Sequence, residues 1–568
     1  MFLKYLCISI LFTLLALIPC AFHAKTRQDI SYVRKPSFYD HMTPVVKGGL
    51  LRYSLSSDPK VLNPLLSEDS ESSALEVYLW MPLFELDPET LDYIPALATS
   101  YHISADKKTY TFTLHKEAKW QDQSPVTSQD VQFTFDTLMN KKTNAAALRS
   151  YYGGISLQVK DPFTFSFHTE TPQFDTLNFL VGFTPIQKKQ FEHSQNFNKD
   201  RGIMNPVGNG PYLLKKYQRG QKIILKRNPI WWAQHLSQFQ NRYNPNELIF
   251  CIIQDSHLVY EKFIKGDLDA IGFTAEQWST QVTKTDKNKF MQHHIWALKQ
   301  QNKAPKAYSY IGWNLKNPLF QDVKTRTALA HLIDYKKIIE KVYYDLSVQN
   351  TSPFGSLTSN SLPDLRKSDH LITYNRTKAL ALLKEAGWMH NGKGLLFKEI
   401  QNQKVPFQFK LETNANNSAR LKIAQIIKEN FKAAGIQVTI YATEWNALLQ
   451  NINKRNFDAV LLGWTGSLFP NARQIWHSES EKDGGSNFIS YHNPQVDLLI
   501  EKANREYNIQ KRNKLMQEIN FLIYKDQPYA FISEATHILA GLNKKISSQR
   551  WVAQYENAPA KDMFYLAK

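Results

Sequence analysis

Cysteine is scarce: the 568-residue chain carries 3. Cys7 and Cys20 fall in or beside an N-terminal apolar segment, so a chain shortened past that segment keeps Cys251 alone and can close no internal disulfide. Cys251 stands within Leu248-Ile249-Phe250-Cys251-Ile252-Ile253, where a thiol reads as an inert core residue rather than a nucleophile. Long hydrophobic runs are scarce too. The one present, Tyr5 to Ile18, follows Lys4 and is closed by Pro19, the layout of a signal peptide over residues 1–24. It is shorter than the roughly 20 apolar residues a stable bilayer span needs, and no later segment resembles a second span.

The expectation is therefore an exported, periplasmic protein, with an uncleaved N-terminal anchor as the alternative. Ala21 and Ala24 are small enough to precede a cleavage site, and Leu17-Ile18-Pro19-Cys20 resembles a lipoprotein box that would tether the chain through Cys20. Acidic residues are in deficit, 51 against 69 Lys and Arg, a formal charge of +18. That excess suits acidic partners or membrane faces. With no dense Lys/Arg block, zinc-finger spacing or helix-turn-helix, no nucleic-acid partner is expected.

Enzyme motifs are missing as well: no G-x-S-x-G, no H-E-x-x-H, no P-loop, no paired-cysteine metal spacing. Gly208-Asn209-Gly210 begins like a dinucleotide turn but continues Pro211-Tyr212-Leu213, without the third glycine. His293-His294 could hold a metal only with distant partners, since adjacent side chains point apart on either helix or strand. Asp267 and Asp269 suit a turn better than acid–base chemistry. The expectations are no catalytic residues, no metal, no cofactor and no enzyme activity.

What is present is a large α/β chain. Residues 25–46, with Pro36 and Pro44 and no period, read as a flexible leader. Thr109 to Leu114 and Phe163 to Phe167 alternate with period two, as half-buried strands do, and a helix is expected to begin near Thr127. Phe407 to Leu411 and Ile436 to Ile440 flank a helix with Leu421, Ala424, Ile427 and Phe431 on one face, Ser418 as N-cap and Gly435 at its exit. Strand, helix, strand at that spacing predicts a parallel crossover. A further helix from about Glu444 to Lys454 leads to a strand over 457–462, and 353–370 reads as a loop.

Aromatic residues make up 13% of the chain, many beside glycine. Gly463-Trp464-Thr465-Gly466 follows the 457–462 strand, at the sheet edge where open α/β proteins bind ligands. Trp464 there is either a flat ligand wall or core packing, and the glycines either admit a ligand or merely turn the chain.

Several separated segments, in order from about residue 47 to the C-terminus, resemble the extracytoplasmic solute-binding proteins of family 5, the peptide, dipeptide and nickel binders of ABC importers. They are Gly48-Gly49-Leu50-Leu51-Arg52-Tyr53 with Asp58-Pro59 and Leu62-Asn63-Pro64; Pro95-Ala96-Leu97-Ala98; Lys119-Trp120, Pro125-Val126-Thr127 and Asp130 to Phe135; Asn205 to Tyr212; Gly312-Trp313-Asn314-Leu315; Ala328 to Asp334; Gly463-Trp464; Ile475-Trp476-His477-Ser478; and Tyr491 to Pro494. Gln123 stands where the family usually has glycine.

The resemblance implies a two-lobed Venus-flytrap α/β fold with an extra inserted subdomain: domain I over 47–90, 201–305 and 527–568, a small domain II over 91–200, and domain III over 306–526. It implies hinge closure on oligopeptides or peptide-like solutes, delivery to membrane permease subunits of an ABC transporter, and a monomer. Gly463, Trp464, Thr465, Gly466, Ser467, Phe469, Asn471, Arg473 and Asn314 are the ligand-binding candidates. Many peptide binders of the family carry, three residues past the tryptophan, an aspartate that pairs with the ligand's ammonium. Here that position is Ser467, and the acidic residues found slightly later are matched by Phe469 and Asn471. Another carboxylate must take that role, or the ligand is blocked, modified or not a peptide. Arg473 either faces a ligand carboxylate or is solvated surface. The alternatives are a metal chelate, haem, a glutathione-like compound or an oligosaccharide in the same fold, and a secreted hydrolase.

Overall fold

The computed structural model describes residues 29–35, 37–283, 295–355, 365 and 370–567. The signal segment, His293-His294 and most of the 353–370 loop lie outside them. The strand expected at Thr109–Leu114 is present with alternating burial, and the one expected over Phe163 to Phe167 runs Thr164–Thr169, with Phe165, Ser166 and Phe167 all buried. With Ala98–Ile103, Ile155–Asp161 and Ile30–Ser31 they form a five-stranded antiparallel sheet. Thr127 caps the helix Ser128–Met139 through a capping box with Asp130.

The four-stranded sheet beside it runs Leu50–Leu55, Glu247–Ile252, Lys222–Arg227, Tyr212–Gln218, with the first pair parallel. One apolar core joins the two sheets, from Leu51 and Phe250 to Phe112 and Phe165. Gly208 and Gly210 serve that core: a Cβ on Gly208 would stand 1.9 Å from the Leu79 carbonyl oxygen, and the Gly210 N–H donates to the same oxygen at 2.9 Å. The Gly-Asn-Gly pattern thus marks a close backbone crossing.

The second lobe is built on a six-stranded mixed sheet: Ser347–Gln349, Tyr529–Ala535, Tyr308–Trp313, Ala459–Trp464, Gln408–Asn414, Gln437–Thr443. The parallel crossover is present, Gln408–Asn414 pairing with Gln437–Thr443 around the helix Ser418–Ala433. Its N-cap is Asn417, whose side chain accepts from the Arg420 N–H, so Ser418 is the first helical residue instead. Gly435 leaves the helix at φ +86°.

Two further readings shift. The leader is in part built in: Ile30–Ser31 pairs with Ile103 and His102, and Tyr39 and Met42 are buried against Ile94, Ala560 and Met563. A two-residue strand is too short to display a period. Tyr529–Ala535 belongs to the second-lobe sheet, while Ile538–Asn543 joins Ala270–Gly272 and Ile295–Gln300. The chain therefore recrosses at 536–537 rather than at 527. That strand is buried on both faces, which erases the alternation that would have located it.

Candidate functional site

The helix Ser70–Leu79 starts at Asp69, whose carboxylate accepts the Ser72 N–H at 2.8 Å. Leu75, Tyr78 and Leu79 anchor it in the first-lobe core. Glu76 stands on the same helix, one carboxylate oxygen accepting from Ser67 Oγ at 2.7 Å. Opposite runs the C-terminal segment 556–562, held by Arg242, which is 7% exposed and bonds Glu85 and Asp562 at 2.7 Å each. Between them lies a cavity of about 990 Å³. Tyr39, Tyr78, Trp80 and Phe84 supply aromatic wall, Glu76, Glu556 and Lys561 border it, and Phe469 reaches in from the second lobe. Burial pushes the Glu76 carboxyl up to about 7 despite the Ser67 bond. Burial, with Asp562 nearby, does the same to Glu556, and burial lowers Lys561.

The second lobe presents the loop that the sequence singles out. Gly463 and Trp464 are the last residues of the strand Ala459–Trp464 rather than the residues after it, and Trp464 pairs across to Tyr308. The Trp464 ring is partly exposed, lies parallel to Tyr310 at 6.4 Å, and directs its indole N–H to the Tyr529 hydroxyl at 3.4 Å. Its glycine neighbours admit backbone of this same chain: a Cβ on Gly463 would stand 2.8 Å from the Tyr308 carbonyl oxygen, and one on Gly466 2.4 Å from that of Pro305, in the segment joining the lobes. Thr465 and Ser467 are exposed.

Asn471 donates to Asp175 at 2.7 Å and so ties the loop to the small antiparallel domain. Phe174 N–H to Asn504 O at 2.6 Å and Tyr507 hydroxyl to Gln173 O at 3.1 Å extend that contact. Arg473 pairs with Glu479 and Glu501, so its charge is met within its own lobe. Asn314 is not part of this group. It follows Trp313, which pairs with Ala459, and its amide donates to the Phe457 carbonyl oxygen at 2.8 Å. That is the far end of the strand from Trp464, roughly 17 Å away at the usual rise per residue.

Of the candidates, Phe469 lines the cavity, Trp464 is partly exposed at the end of its strand, and Asn471 ties its loop to the small domain. Sequence reasoning missed Glu76, Glu556 and Lys561. The only local signal was a carboxylate inside the otherwise apolar Ala74-Leu75-Glu76-Val77-Tyr78-Leu79-Trp80. It also missed Arg420, which donates to Asn414 Oδ1 at 2.7 Å, lies beside Gly463, and has no carboxylate in ion-pair reach among the described residues. Burial lowers its pKa.

The chain matches the model of bacterial extracellular solute-binding proteins, family 5 (middle), over residues 92–486. It is 28% identical over 533 residues to the oligopeptide-binding protein AppA of Bacillus subtilis, covering 92% of this chain and 91% of that protein. It is 25% identical over 514 residues to the dipeptide-binding protein of Escherichia coli, covering 86% and 90%. The structure of B. subtilis AppA in complex with a nonapeptide superposes with a TM-score of 0.81 at 27% identity, covering 92% of this chain and 100% of that one. NikZ of Campylobacter jejuni in complex with Ni(L-His) shares the fold, with a TM-score of 0.76 at 22% identity, covering 91% and 99%. Ordered motifs, two α/β lobes and a match over most of its length together establish that the chain belongs to the bacterial extracellular solute-binding proteins of family 5.

Proposed function

We propose that this chain is the substrate-binding component of an ABC importer, capturing oligopeptides or peptide-like solutes between its lobes and handing them to permease subunits in the cytoplasmic membrane. The observation that carries the reading is the cavity of about 990 Å³ in the first lobe, into which Phe469 reaches from the second. It stands at the upper end of the roughly 300–1,000 Å³ common for small-ligand pockets, room suited to a chain of residues. Exposed loop backbone at Thr465 to Ser467 offers N–H and C=O groups of the kind an extended peptide pairs with. Arg420, a partly buried guanidinium that forms no ion pair among the described residues, suits a ligand's carboxylate end. AppA, named for oligopeptides and solved with a nonapeptide, adds support. The Asn471–Asp175 contact and its neighbours fit a closed arrangement reached by hinge motion about 301–307 and 536–537.

The protein acts outside the cytoplasm as a monomer and binds without turnover. Among the described residues no helix is long and apolar enough to cross a membrane. Native mass spectrometry of protein purified without denaturation is expected to release peptides. Recovery of a sugar or a metal chelate instead would sink the peptide assignment, and cleavage of an added peptide library that survives repurification would sink the binding role.

A further inference from the structure

The small antiparallel domain shares one apolar core with the first lobe and so moves with that lobe when the hinge bends. It also meets the second lobe, along a seam at residues 173–175. The Phe174 ring lies under the Arg512 guanidinium, 4.6 Å from the centroid, and the Phe174 N–H donates to the Asn504 carbonyl oxygen at 2.6 Å. Lys107 sets its ammonium 3.5 Å from the centre of the Tyr507 ring, and the Tyr151 hydroxyl donates to the Gln474 side chain. Two opposite charges stand inside this seam: Asp175 of the small domain, 2% exposed, and Arg512 of the second lobe, 5% exposed. Asp175 accepts from Asn471 at 2.7 Å, and Arg512 donates to the Pro470 carbonyl oxygen at 3.3 Å. Each keeps one buried polar atom without a hydrogen-bond partner, Oδ1 of Asp175 and Nε of Arg512. The two lie near enough for each to favour the other's charged form, without closing an ion pair.

We propose that Asp175 and Arg512 form an electrostatic latch between the small domain and the second lobe, which holds the lobes together from outside the space a solute occupies. The proposal rests on the hinge-closure reading and deepens it, by naming a contact that closure is made of. Permanent packing would pair or replace buried charges, because a partly satisfied one is costly. Here the attraction across the seam is offset by the two orphaned atoms, so closure stays reversible. The seam also adjoins the cavity on both sides. Asp175 precedes the helix Thr176–Val181, whose Asn178 and Val181 line the cavity, and Pro470 and Asn471 follow Phe469, which reaches into it. Neither Asp175 nor Arg512 lines that space. A solute that settles Asn178 and Phe469 therefore aligns the two halves of the latch. The latch in turn raises the closed fraction, by which the intrinsic dissociation constant is divided to give the apparent one.

The test is a charge cycle in the full-length protein. Arg512→Glu sets two carboxylates across the seam, and Asp175→Asn added to it removes the repulsion. Small-angle X-ray scattering without solute reads how far the lobes stand apart, titration with a pool of five-residue peptides reads affinity, and thermal melts verify folding. R512E is expected to enlarge the radius of gyration and to weaken apparent binding about tenfold or more, as a tenfold fall in the closed fraction requires. D175N/R512E is expected to recover most of both. Asp175→Lys sets two cations across the seam from the other domain and is expected to open the protein as R512E does, so it decides if R512E fails to fold.

Scattering by folded R512E or D175K that matches the wild type overturns the latch, whatever the affinities. An opening in R512E that D175N leaves unrelieved also overturns it, by assigning the effect to the contacts of Arg512 with Phe174 and Pro470 rather than to its charge. If the wild type binds no peptide, the peptide reading falls, and the scattering comparison still decides the latch.

Discussion

The two walls of the cleft are built in opposite ways. The second-lobe wall is one short stretch, from Gly463 to Arg473, exposed at Thr465 and Ser467 but with its amide and its guanidinium met by neighbours. Asn471 meets Asp175, Arg473 meets two glutamates, and the glycines fit against Tyr308 and Pro305. The first-lobe wall is assembled from opposite ends of the chain, a helix at 70–79 and a segment at 556–562 that Arg242 ties to Glu85, and two of its glutamates and a lysine form no ion pair among the described residues. A continuous loop can be satisfied by its neighbours, whereas a wall of distant pieces can hold charges in reserve only if something rigid fixes them. Arg242 is that fixture.

The sharpest way to break the contrast is to remove it. Arg242→Met leaves Glu85 and Asp562 without their cation, a loss on the scale of about 3–5 kcal/mol for one partner of a buried pair. Urea denaturation is expected to report that loss. A variant as stable as the wild type would mean that the C-terminal segment is held by its apolar contacts alone, through Ala560 and Met563. A smaller effect is expected on the other wall. Trp464→Ala is expected to weaken peptide binding by at least about 1 kcal/mol, the worth of an aromatic contact beyond its buried area, with folding intact because the ring is partly exposed. Unchanged affinity by titration calorimetry would place the second-lobe wall at Phe469 instead.

The contrast also accounts for what could be read in advance. Periodic segments were legible: the alternating strand Thr109–Leu114, the helix Ser418–Ala433, whose buried face has Ala424, Ile427 and Phe431 as expected but Ile423 in place of Leu421, and the parallel pairing around it. The second-lobe loop was legible because its residues are consecutive and follow a strand. Its glycines were recognised but their neighbour was not, since Pro305 is brought to Gly466 only by tertiary packing. Asn314 failed as a site residue for a related reason: an antiparallel partner strand carries a neighbour of the right sheet to the wrong end. Nothing local connects Glu76 to Glu556. Both border one cavity only because the chain recrosses at 536–537, after the strand whose uniform burial hid that boundary.

The smallest effect is electrostatic, because both carboxylates border open space where water and salt screen them. Glu76 and Glu556 are raised from an ordinary 4.5 to about 7, chiefly by burial. Between those values the folded protein keeps protons that the unfolded chain has released, so stability falls as pH rises through that interval. The contribution is fully present below 4.5 and lost as pH climbs past about 7, where the folded state must hold the buried charges. E76Q/E556Q has no such protons to lose. Without ligand, the double variant is therefore expected to melt above the wild type at pH 8, with the difference shrinking toward pH 5. Histidines that titrate in the same range are common to both proteins and cancel in the difference. A pH-independent gap would place both glutamates at ordinary carboxylate values and would mean that burial does not raise them.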